Sequence, residues 1–500
     1  MLAGIIGGWN AVLDINLLFT LLFSVPLGIV VGVLPGVGAM VGITVLLPLT
    51  FTMGPVVGIS MLIAVYCGSF YGGSVSAILI NTPGSPAAIC TIMDGYPMAR
   101  NGEAHRAMNA AVVASFLGGV ISVILLTLCA PLIAAVALKF SYTEYFAIAI
   151  FGIIMVVTTS EKGSFAKGIA MGTLGLIIST VGQDKMGTAE RFTFGILDLS
   201  RGLPLLPVLV GLFAISQALA LTEKGTKPVH LQNMEKRTGL LASFKDVLGY
   251  KLTLLKSSLI GTAVGAIPGT GSSISTFVSY SEAKRASKTP EKFGTGYVEG
   301  IIASESSNNS VTGGALIPVL ALGIPGDAIT AIMLGAFLVH GLIPGPMLFI
   351  ESLDFVNAIF ATMMVTYVLV LFVGFYGAKI FASVLKIREA ILVPVILVLS
   401  FLGAYSINSS LFDVGISCVF GVVGYILNKY NFPLAPIVMG LILGPIAEEG
   451  LRRSLMVSKG SWSILVTQPI SASFLALSAL IVFRKAYVLL FSKKQKPAAC

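Results

Sequence analysis

Charged side chains are scarce in this chain of 500 residues: Asp, Glu, Lys and Arg make up 11% of it, against 56% hydrophobic residues. This balance excludes an ordinary soluble protein. Apolar windows long enough to span a bilayer, roughly 20 residues each, recur along the sequence. They are 17–33, 107–138, 143–159, 203–222, 353–378, 390–405 and 464–483. We therefore predict an all-α polytopic integral membrane protein with about 12 membrane segments, some of them re-entrant or broken.

Cysteine and histidine are also rare, at five and three residues. The cysteines show no paired spacing, so we predict free thiols and no metal cluster. The histidines form no HxxxH or HExxH arrangement, which argues against a zinc enzyme. The sequence has no GxxxxGK[ST] motif, so ATP is not expected to be the direct energy source. The N-terminus has no basic region and no cleavage site, which predicts no removable signal peptide. We predict a protein without enzymatic activity or a bound cofactor.

The net charge of +9 lies in loops and does not indicate nucleic-acid binding. The largest basic cluster falls within 223–251, the one sustained polar break in the chain. By the positive-inside rule this linker is cytoplasmic, and the N-terminal stretch, which lacks Lys and Arg before Leu17, is outside. In this scheme Arg452, Arg453 and Lys459 also fall outside, against the rule.

The two halves of the chain share ordered motifs. Leu34-Pro35-Gly36-Val37-Gly38 corresponds to Ile267-Pro268-Gly269-Thr270-Gly271, a shift of 233 residues. The stretch from Tyr71 to Gly84 aligns without gaps to the stretch from Gly313 to Gly326, and Pro204-Leu205-Leu206-Pro207 matches Pro433-Leu434-Ala435-Pro436. The order and the similar offsets predict an internal duplication. With the N-terminus outside and the linker inside, the repeats have inverted topology.

The predicted organisation follows from these matches. Residues 1–222 form the first repeat, 223–251 the basic cytoplasmic linker, and 252–450 the second repeat. Residues 451–500 add a C-terminal membrane helix and a basic tail.

Each half carries the same parts of a candidate binding site. A proline-glycine break ends one helix, a hydrophilic glycine-rich segment follows, and a second proline-glycine break comes after it. Irregular backbone survives at membrane depth only where it is buried in protein or lines a polar cavity. The candidate substrate-binding residues are Gly36, Gly38, Ser74, Asn81, Thr82, Gly84, Ser85, Gly269, Thr270, Gly271, Ser272, Asn308, Asn309, Ser310, Thr312 and Gly326.

These stretches contain no Lys or Arg, so an anion would have to bind to helix N-termini and hydroxyl or amide donors. Freed carbonyls suit a hard cation, and we predict a Na⁺ position near Asn81 and Asn309. The composition fits a multiply charged carboxylate carried with cations. The competing interpretation is structural: glycines allow close helix packing, and Ser or Thr bond back to their own helix.

Among ionisable residues, Glu305, Asp327 and the neighbouring Asn309 are the candidates for cation coupling. The alternative for Glu305 is a solvated helix end. For Asp327 it is an N-cap, and Ser85 holds the matching place in the first half. His340 is expected near a membrane interface.

The motifs resemble the large membrane subunit of tripartite tricarboxylate transporters, over nearly the whole chain. The most specific blocks are Ile80–Ala88, Asp94–Arg100, Arg191–Gly195, Asn308–Pro318, Leu322–Gly326 and His340–Pro346. The resemblance implies a permease that works with a small membrane subunit and a periplasmic or other extracytoplasmic solute-binding protein. It implies uptake of tricarboxylates such as citrate or related organic carboxylates, by symport with Na⁺ or H⁺ across a prokaryotic cytoplasmic (inner) membrane.

We expect alternating access, with an elevator-type movement favoured because breaks in both halves would keep the substrate contacts in one moving body. A homo-oligomer is compatible with this prediction. Two alternatives remain open: a receptor-independent channel or exporter, and an intramembrane enzyme pairing Ser74 or Ser310 with His105 or His340.

Overall fold

The computed structural model describes residues 8, 12–159, 164–184, 186–224, 239–387 and 389–491. The prediction for the linker therefore falls partly, and that for the basic tail largely, outside the described residues. The described chain is helical apart from one two-residue hairpin, in which strand β1 (Gly182–Gln183) pairs antiparallel with strand β2 (Glu190–Arg191). This is the predicted all-α fold.

The helices of the first half are numbered in chain order. They are α1 Ile15–Val33, α2 Gly38–Leu46, α3 Pro55–Ile80, α4 Ile89–Met98, α5 Ala104–Ala137, α6 Tyr142–Thr159, α7 Phe165–Ile178, α8 Leu197–Ser200, α9 Leu205–Leu209 and, after the π-helical turns of Val210–Ile215, α10 Ser216–Lys224. Short 3₁₀ turns lie at Leu47–Thr52 and Pro86–Ala88, and a π-helical turn at Ala99–Glu103 joins α4 to α5.

The helices of the second half follow. They are α11 Leu240–Leu248, α12 Lys251–Gly265, α13 Gly271–Ala286, α14 Val298–Leu322, α15 Ala328–Val339, α16 Leu348–Glu351, α17 Leu353–Val384, α18 Glu389–Asn408, α19 Leu411–Lys429, α20 Ala435–Val457, α21 Ile464–Thr467 and α22 Pro469–Phe491. A 3₁₀ turn at Pro290–Lys292 precedes α14. The described part of the predicted linker thus contains α11.

Eight helical stretches of the described chain are long and apolar enough to cross a membrane. Four shorter apolar helices, 38–52, 165–178, 328–339 and 390–406, add to them. Two of these, 38–52 and 328–339, follow a break, as expected where a membrane segment is interrupted. The chain is a multi-pass membrane protein.

The four predicted helix breaks are present, and glycine or asparagine makes each one. Gly36 (φ +83°) and Gly269 (φ +82°) have nearly the same backbone conformation, in the left-handed region that other residues avoid. At the second breaks, α3 ends at Asn81 (φ +55°) and α14 ends at Gly323 (φ +70°), both left-handed caps. The sequence correspondence therefore extends to backbone geometry.

The helix pairs α1–α3 and α12–α14 pack through matching glycines. Gly72 on α3 lies against the carbonyl of Ile29, and its counterpart Gly314 on α14 lies against the carbonyl of Thr262, with no room for a Cβ at either position. Gly32 against Ser69 has the counterpart Gly265 against Val311. These repeated contacts are what a duplicated helix pair would produce, because close approach requires glycine on one of the two surfaces.

The chain divides into two compact units that do not follow the predicted repeat boundaries. Unit 1 comprises residues 1–138 and 205–426, and unit 2 comprises residues 139–204 and 427–500. All four helix breaks belong to unit 1. Its central helices are α3 and α14, and almost every residue of both is buried.

Unit 2 holds the arginines that conflicted with the positive-inside rule. Arg452 pairs with Asp184 at 2.7 Å and with Glu448 at 3.0 Å, and Arg191 pairs with the same two carboxylates at 2.8 Å each. Arg452 and Arg191 hold the pKa of Asp184 well below its usual range. Arg453 pairs separately with Glu449. Arg452 and Arg453 thus each pair with neighbouring acids, and the side of the membrane on which they lie stays a prediction.

Candidate functional site

The two breaks of each half lie against one another. In the first half, a Cβ on Gly38 would lie 3.5 Å from the carbonyl oxygen of Gly84. In the second half, the backbone N–H of Gly269 donates to the carbonyl of Gly326 at 2.6 Å. Gly84 and Gly326 are corresponding residues, so each half brings its first break to its second.

The half-helices that follow the breaks also join the two halves. Helix α13 of the second half packs against the 3₁₀ turn Pro86–Ala88 of the first, and α2 of the first half packs against α15 of the second. Each of these contacts corresponds to the other under the repeat. The four breaks therefore belong to one assembly inside unit 1.

The caps at the starts of these half-helices differ. Val37 before α2, Thr270 before α13 and Ser85 before the 3₁₀ turn make no side-chain cap hydrogen bond. Asp327 does, in a full capping box with Thr330: Asp327 Oδ1 accepts from the Thr330 N–H at 2.7 Å. Its other oxygen accepts from the Tyr66 hydroxyl at 3.2 Å. The structure thus favours the N-cap alternative for Asp327, whereas Ser85 does not cap.

The two hydrophilic segments are continuous helix, broken only at their ends. Many of their hydroxyls bond to carbonyls of the same helix: Ser74 lies 3.4 Å from Phe70 O, Ser310 lies 2.6 Å from Ser306 O and Thr312 lies 2.8 Å from Asn309 O. This is the structural role foreseen as the alternative. Both segments are buried in protein, which explains how so many polar groups are tolerated.

Glu305 lies at the centre of a buried polar cluster on α14. Its side chain is 0% exposed, and its carboxylate accepts from Thr91 on α4 and from Ser115 on α5 at 3.2 Å. Helix α3, which carries Ser74, also packs against α14. The alternative of a solvated helix end is wrong for Glu305, because three surrounding helices enclose it.

Asn309 extends this cluster by one helical turn. Its amide nitrogen donates to Ser115 Oγ at 2.8 Å, and its backbone carbonyl accepts from the Tyr367 hydroxyl at 2.8 Å. The Tyr367 hydroxyl is also 2.5 Å from Thr312 Oγ1. Asn309 Oδ1 is buried without a hydrogen-bond partner. A free acceptor beside a buried carboxylate is suited to a proton or a cation.

The predicted site residues fall into two groups. The first lies at the breaks: Gly36, Asn81 and Thr82 are exposed, Gly38, Ser85 and 269–272 are half-buried, and Gly84 and Gly326 are buried. The second is buried on α3 and α14 and contains Ser74, Asn308, Asn309, Ser310 and Thr312, with Glu305. Asn81 and Asn309, predicted to share a Na⁺ position, belong to different groups. That position stays a prediction.

The histidine candidates are placed in other surroundings. His340 ends α15, and its Nε2 is 3.1 Å from Thr50 Oγ1. His105 is buried on α5 with its ring edge-on to Phe375. Ser310, one of the proposed nucleophiles, donates to backbone carbonyls of Ser306 and Gly118. This environment does not activate a hydroxyl for nucleophilic attack, since activation requires an adjacent base.

Sequence reasoning missed Asp94, which joins the halves beside the Glu305 cluster. Its Oδ1 accepts from the backbone N–H groups of Gly294, Gly296 and Tyr297 at 2.8, 3.1 and 2.8 Å, and its Oδ2 accepts from the Tyr280 hydroxyl at 2.7 Å. Asp94 therefore fixes the entry to α14. The available signal was its place in the Asp94–Arg100 block, one turn after Thr91 on α4.

A polytopic membrane protein with two pairs of packed helix breaks and a buried polar cluster has the parts expected of a membrane transporter. Residues 18–439 match the model of the tripartite tricarboxylate transporter TctA family. The chain belongs to this family, as the sequence motifs predicted.

Two relatives in Agrobacterium vitis are similar to the chain. An uncharacterized 52.8 kDa protein in the TAR-I ttuC' 3' region is 36% identical over 460 residues, which cover 92% of this chain and 91% of the relative. An uncharacterized protein in the TAR-II ttuC' 3' region is 36% identical over 222 residues, which cover 44% of this chain and 92% of the relative. No solved structure matches the chain.

Proposed function

We propose that this protein is the permease subunit of a receptor-dependent secondary transporter for tricarboxylates or related organic carboxylates. Its family supports transport of this substrate class. The observation that carries the proposal is the convergence of four helix breaks in unit 1, two from each half, around buried polar side chains. Three of the helix starts lack a side-chain cap, so their N–H groups are available to carboxylate oxygens.

The transport cycle proposed is alternating access driven by a Na⁺ or proton gradient. Because all four breaks belong to unit 1, substrate and cation contacts would remain within one body as it moves, which favours an elevator-type movement. The matching glycine contacts support the internal duplication, and inverted repeats are the form of duplication on which such a cycle is usually built. The proposed partners are the small membrane subunit and an extracytoplasmic solute-binding protein, in a prokaryotic cytoplasmic membrane.

Reconstitution into proteoliposomes tests the proposal. The protein with its small subunit should accumulate labelled citrate or another di- or tricarboxylate only when the loaded binding protein and an inward cation gradient are both present. Collapse of the gradient with ionophores should stop accumulation. Equal flux without the binding protein, in both directions and without accumulation, would instead favour the channel or exporter.

A further inference from the structure

Because the two halves correspond, each contact between them has a second copy made by the corresponding residues. One such contact is closed by a hydrogen bond in the first copy and lacks that hydrogen bond in the second. Tyr66 on α3 reaches across to Asp327 at the start of α15, with 3.2 Å between the hydroxyl and Oδ2. The shift that relates Gly84 to Gly326 relates Tyr66 to Asn308 and Ser85 to Asp327. The second copy of the contact is therefore the pair Asn308 and Ser85.

Asn308 and Ser85 are neighbours along one face of α3. The Asn308 amide nitrogen lies 3.5 Å from the carbonyl oxygen of Phe70. Ser85 lies beside Gly73, where an added Cβ would be 3.1 Å from the Ser85 hydroxyl oxygen. Phe70 and Gly73 are one helical turn apart, a rise of about 5 Å, so the two polar side chains border the same short stretch of the helix.

Each residue has a buried oxygen atom without a hydrogen-bond partner. Asn308 is 1% exposed, and its Oδ1 makes no hydrogen bond. Ser85 is half-buried as a residue, but its hydroxyl oxygen is buried and makes no hydrogen bond. Asn and Ser are shorter than the Tyr and Asp of the closed copy, so the pair cannot bridge the distance that Tyr66 and Asp327 bridge. Leaving both unsatisfied would be costly, which indicates that a bound species completes the pair.

The orientation of Asn308 selects the chemistry of that species. Because its amide nitrogen donates to the Phe70 carbonyl, its oxygen is the atom left without a partner. An amide oxygen and a hydroxyl oxygen attract a hard cation, whereas the amide oxygen would repel a carboxylate. The ligands are neutral, which suits a monovalent ion better than a divalent one.

We propose that Asn308 and Ser85 hold a co-transported Na⁺ between α14 and the second break of the first half. This inference rests on the proposed function, for which it names the coupling ion and its position. Gly73 keeps the position open, because any side chain there would approach Ser85. Its counterpart Ala315 carries a methyl group at the closed copy.

Thermal unfolding of the purified full-length protein tests the site, with NaCl compared with choline chloride at equal ionic strength. Na⁺ should raise the unfolding midpoint of the natural protein, since a ligand that binds only the folded state stabilises it. Asn308→Leu and Ser85→Ala should each raise the Na⁺ concentration that gives half of this shift roughly tenfold or more, as loss of a supporting partner does at other metal sites. Tyr66→Phe, the matched change in the closed copy, should keep it.

Absence of any Na⁺-specific shift in the natural protein would overturn the inference, as would an unchanged Na⁺ dependence in both Asn308→Leu and Ser85→Ala. Should Asn308→Leu fail to fold, Ser85→Ala and Gly73→Ala still test the position. Receptor-dependent carboxylate uptake that needs protons and ignores Na⁺ would overturn the Na⁺ site while leaving the proposed transport function intact. If the natural protein showed a Na⁺ shift that the variants lose, but no carboxylate uptake, the Na⁺ site would stand and the proposed transport function would fail.

Discussion

The helix pairs α1–α3 and α12–α14 have corresponding backbone packing but different side chains. Their contacts at Gly28, Gly32 and Gly72 correspond to those at Gly261, Gly265 and Gly314, whereas Gly68 has Ser310 as its counterpart. The central helix of the first pair carries Ile63, Tyr66 and Cys67 where that of the second carries Glu305, Asn308 and Asn309. Packing therefore constrains both copies equally, while the polar chemistry is concentrated in the second. The difference teaches that the break geometry and the buried polar cluster are separable properties of this fold.

The largest loss of stability is expected at Asp94, which joins the two halves through its hydrogen bonds. Asp94→Ala removes the acceptor for three backbone N–H groups at the entry to α14 and for the Tyr280 hydroxyl on α13. Ala336 is the corresponding residue of the second half, and alanine has no side-chain acceptor that could make a second set of these hydrogen bonds. We expect a loss of about 3–5 kcal/mol in stability. The unfolding midpoint in detergent measures it, and a midpoint unchanged from the natural protein would contradict this role of Asp94.

The next effect concerns transport and separates corresponding positions. Asn309→Ala should lower receptor-dependent uptake roughly tenfold or more, about 1.4 kcal/mol in a barrier, because it removes the amide that meets Ser115. Cys67→Ala, the matched change on α3, should leave uptake within roughly twofold. Initial rates in proteoliposomes decide the comparison. Equal uptake rates for the two variants would show that the Asn309 side chain is not required for transport.

Glu305→Gln tests whether the buried carboxylate carries charge or only hydrogen bonds. Gln keeps the shape and can still accept from Thr91 or Ser115. We expect protein yield and monodispersity to be retained and cation-driven uptake to fall by about tenfold. Exchange of internal for external substrate, assayed without a gradient, provides the control. Full gradient-driven uptake by Glu305→Gln would make the residue structural.

The glycine contacts should respond alike in both halves. Gly72→Ala and Gly314→Ala each force a methyl group against a backbone carbonyl, of Ile29 and of Thr262. Overpacking of this kind costs about 1–3 kcal/mol. Gly102→Ala, with nothing within 4 Å but a left-handed backbone (φ +82°), separates conformational strain from crowding. Strongly unequal midpoints for Gly72→Ala and Gly314→Ala would break the correspondence.

The smallest effect is expected at the closed contact. Tyr66→Phe removes one hydrogen bond to Asp327, which keeps its capping box with Thr330. The loss should be about 0.5–1.5 kcal/mol. A drop as large as that of Asp94→Ala would show that Tyr66, rather than the capping box, holds the start of α15.

Much of the fold could be predicted because its signals are local. A proline-glycine pair breaks a helix wherever it stands, so the breaks near Pro35, Pro83, Pro268 and Pro325 were found from the sequence. The all-α class followed from apolar windows. The polar stretches around Ser74 and Asn309 were harder to interpret. Their hydroxyls satisfy themselves within a continuous helix, which composition does not reveal.

The sequence by itself determined the membrane class, the family and the places where helices end, because hydropathy and backbone conformation depend on neighbouring residues. Only the tertiary structure decided which polar groups meet. Glu305 gains Thr91 and Ser115 from distant helices, and Asp327 accepts a hydrogen bond from Tyr66 on α3. Those outcomes depend on distances between segments up to hundreds of residues apart, and packing rather than local propensity fixes such distances.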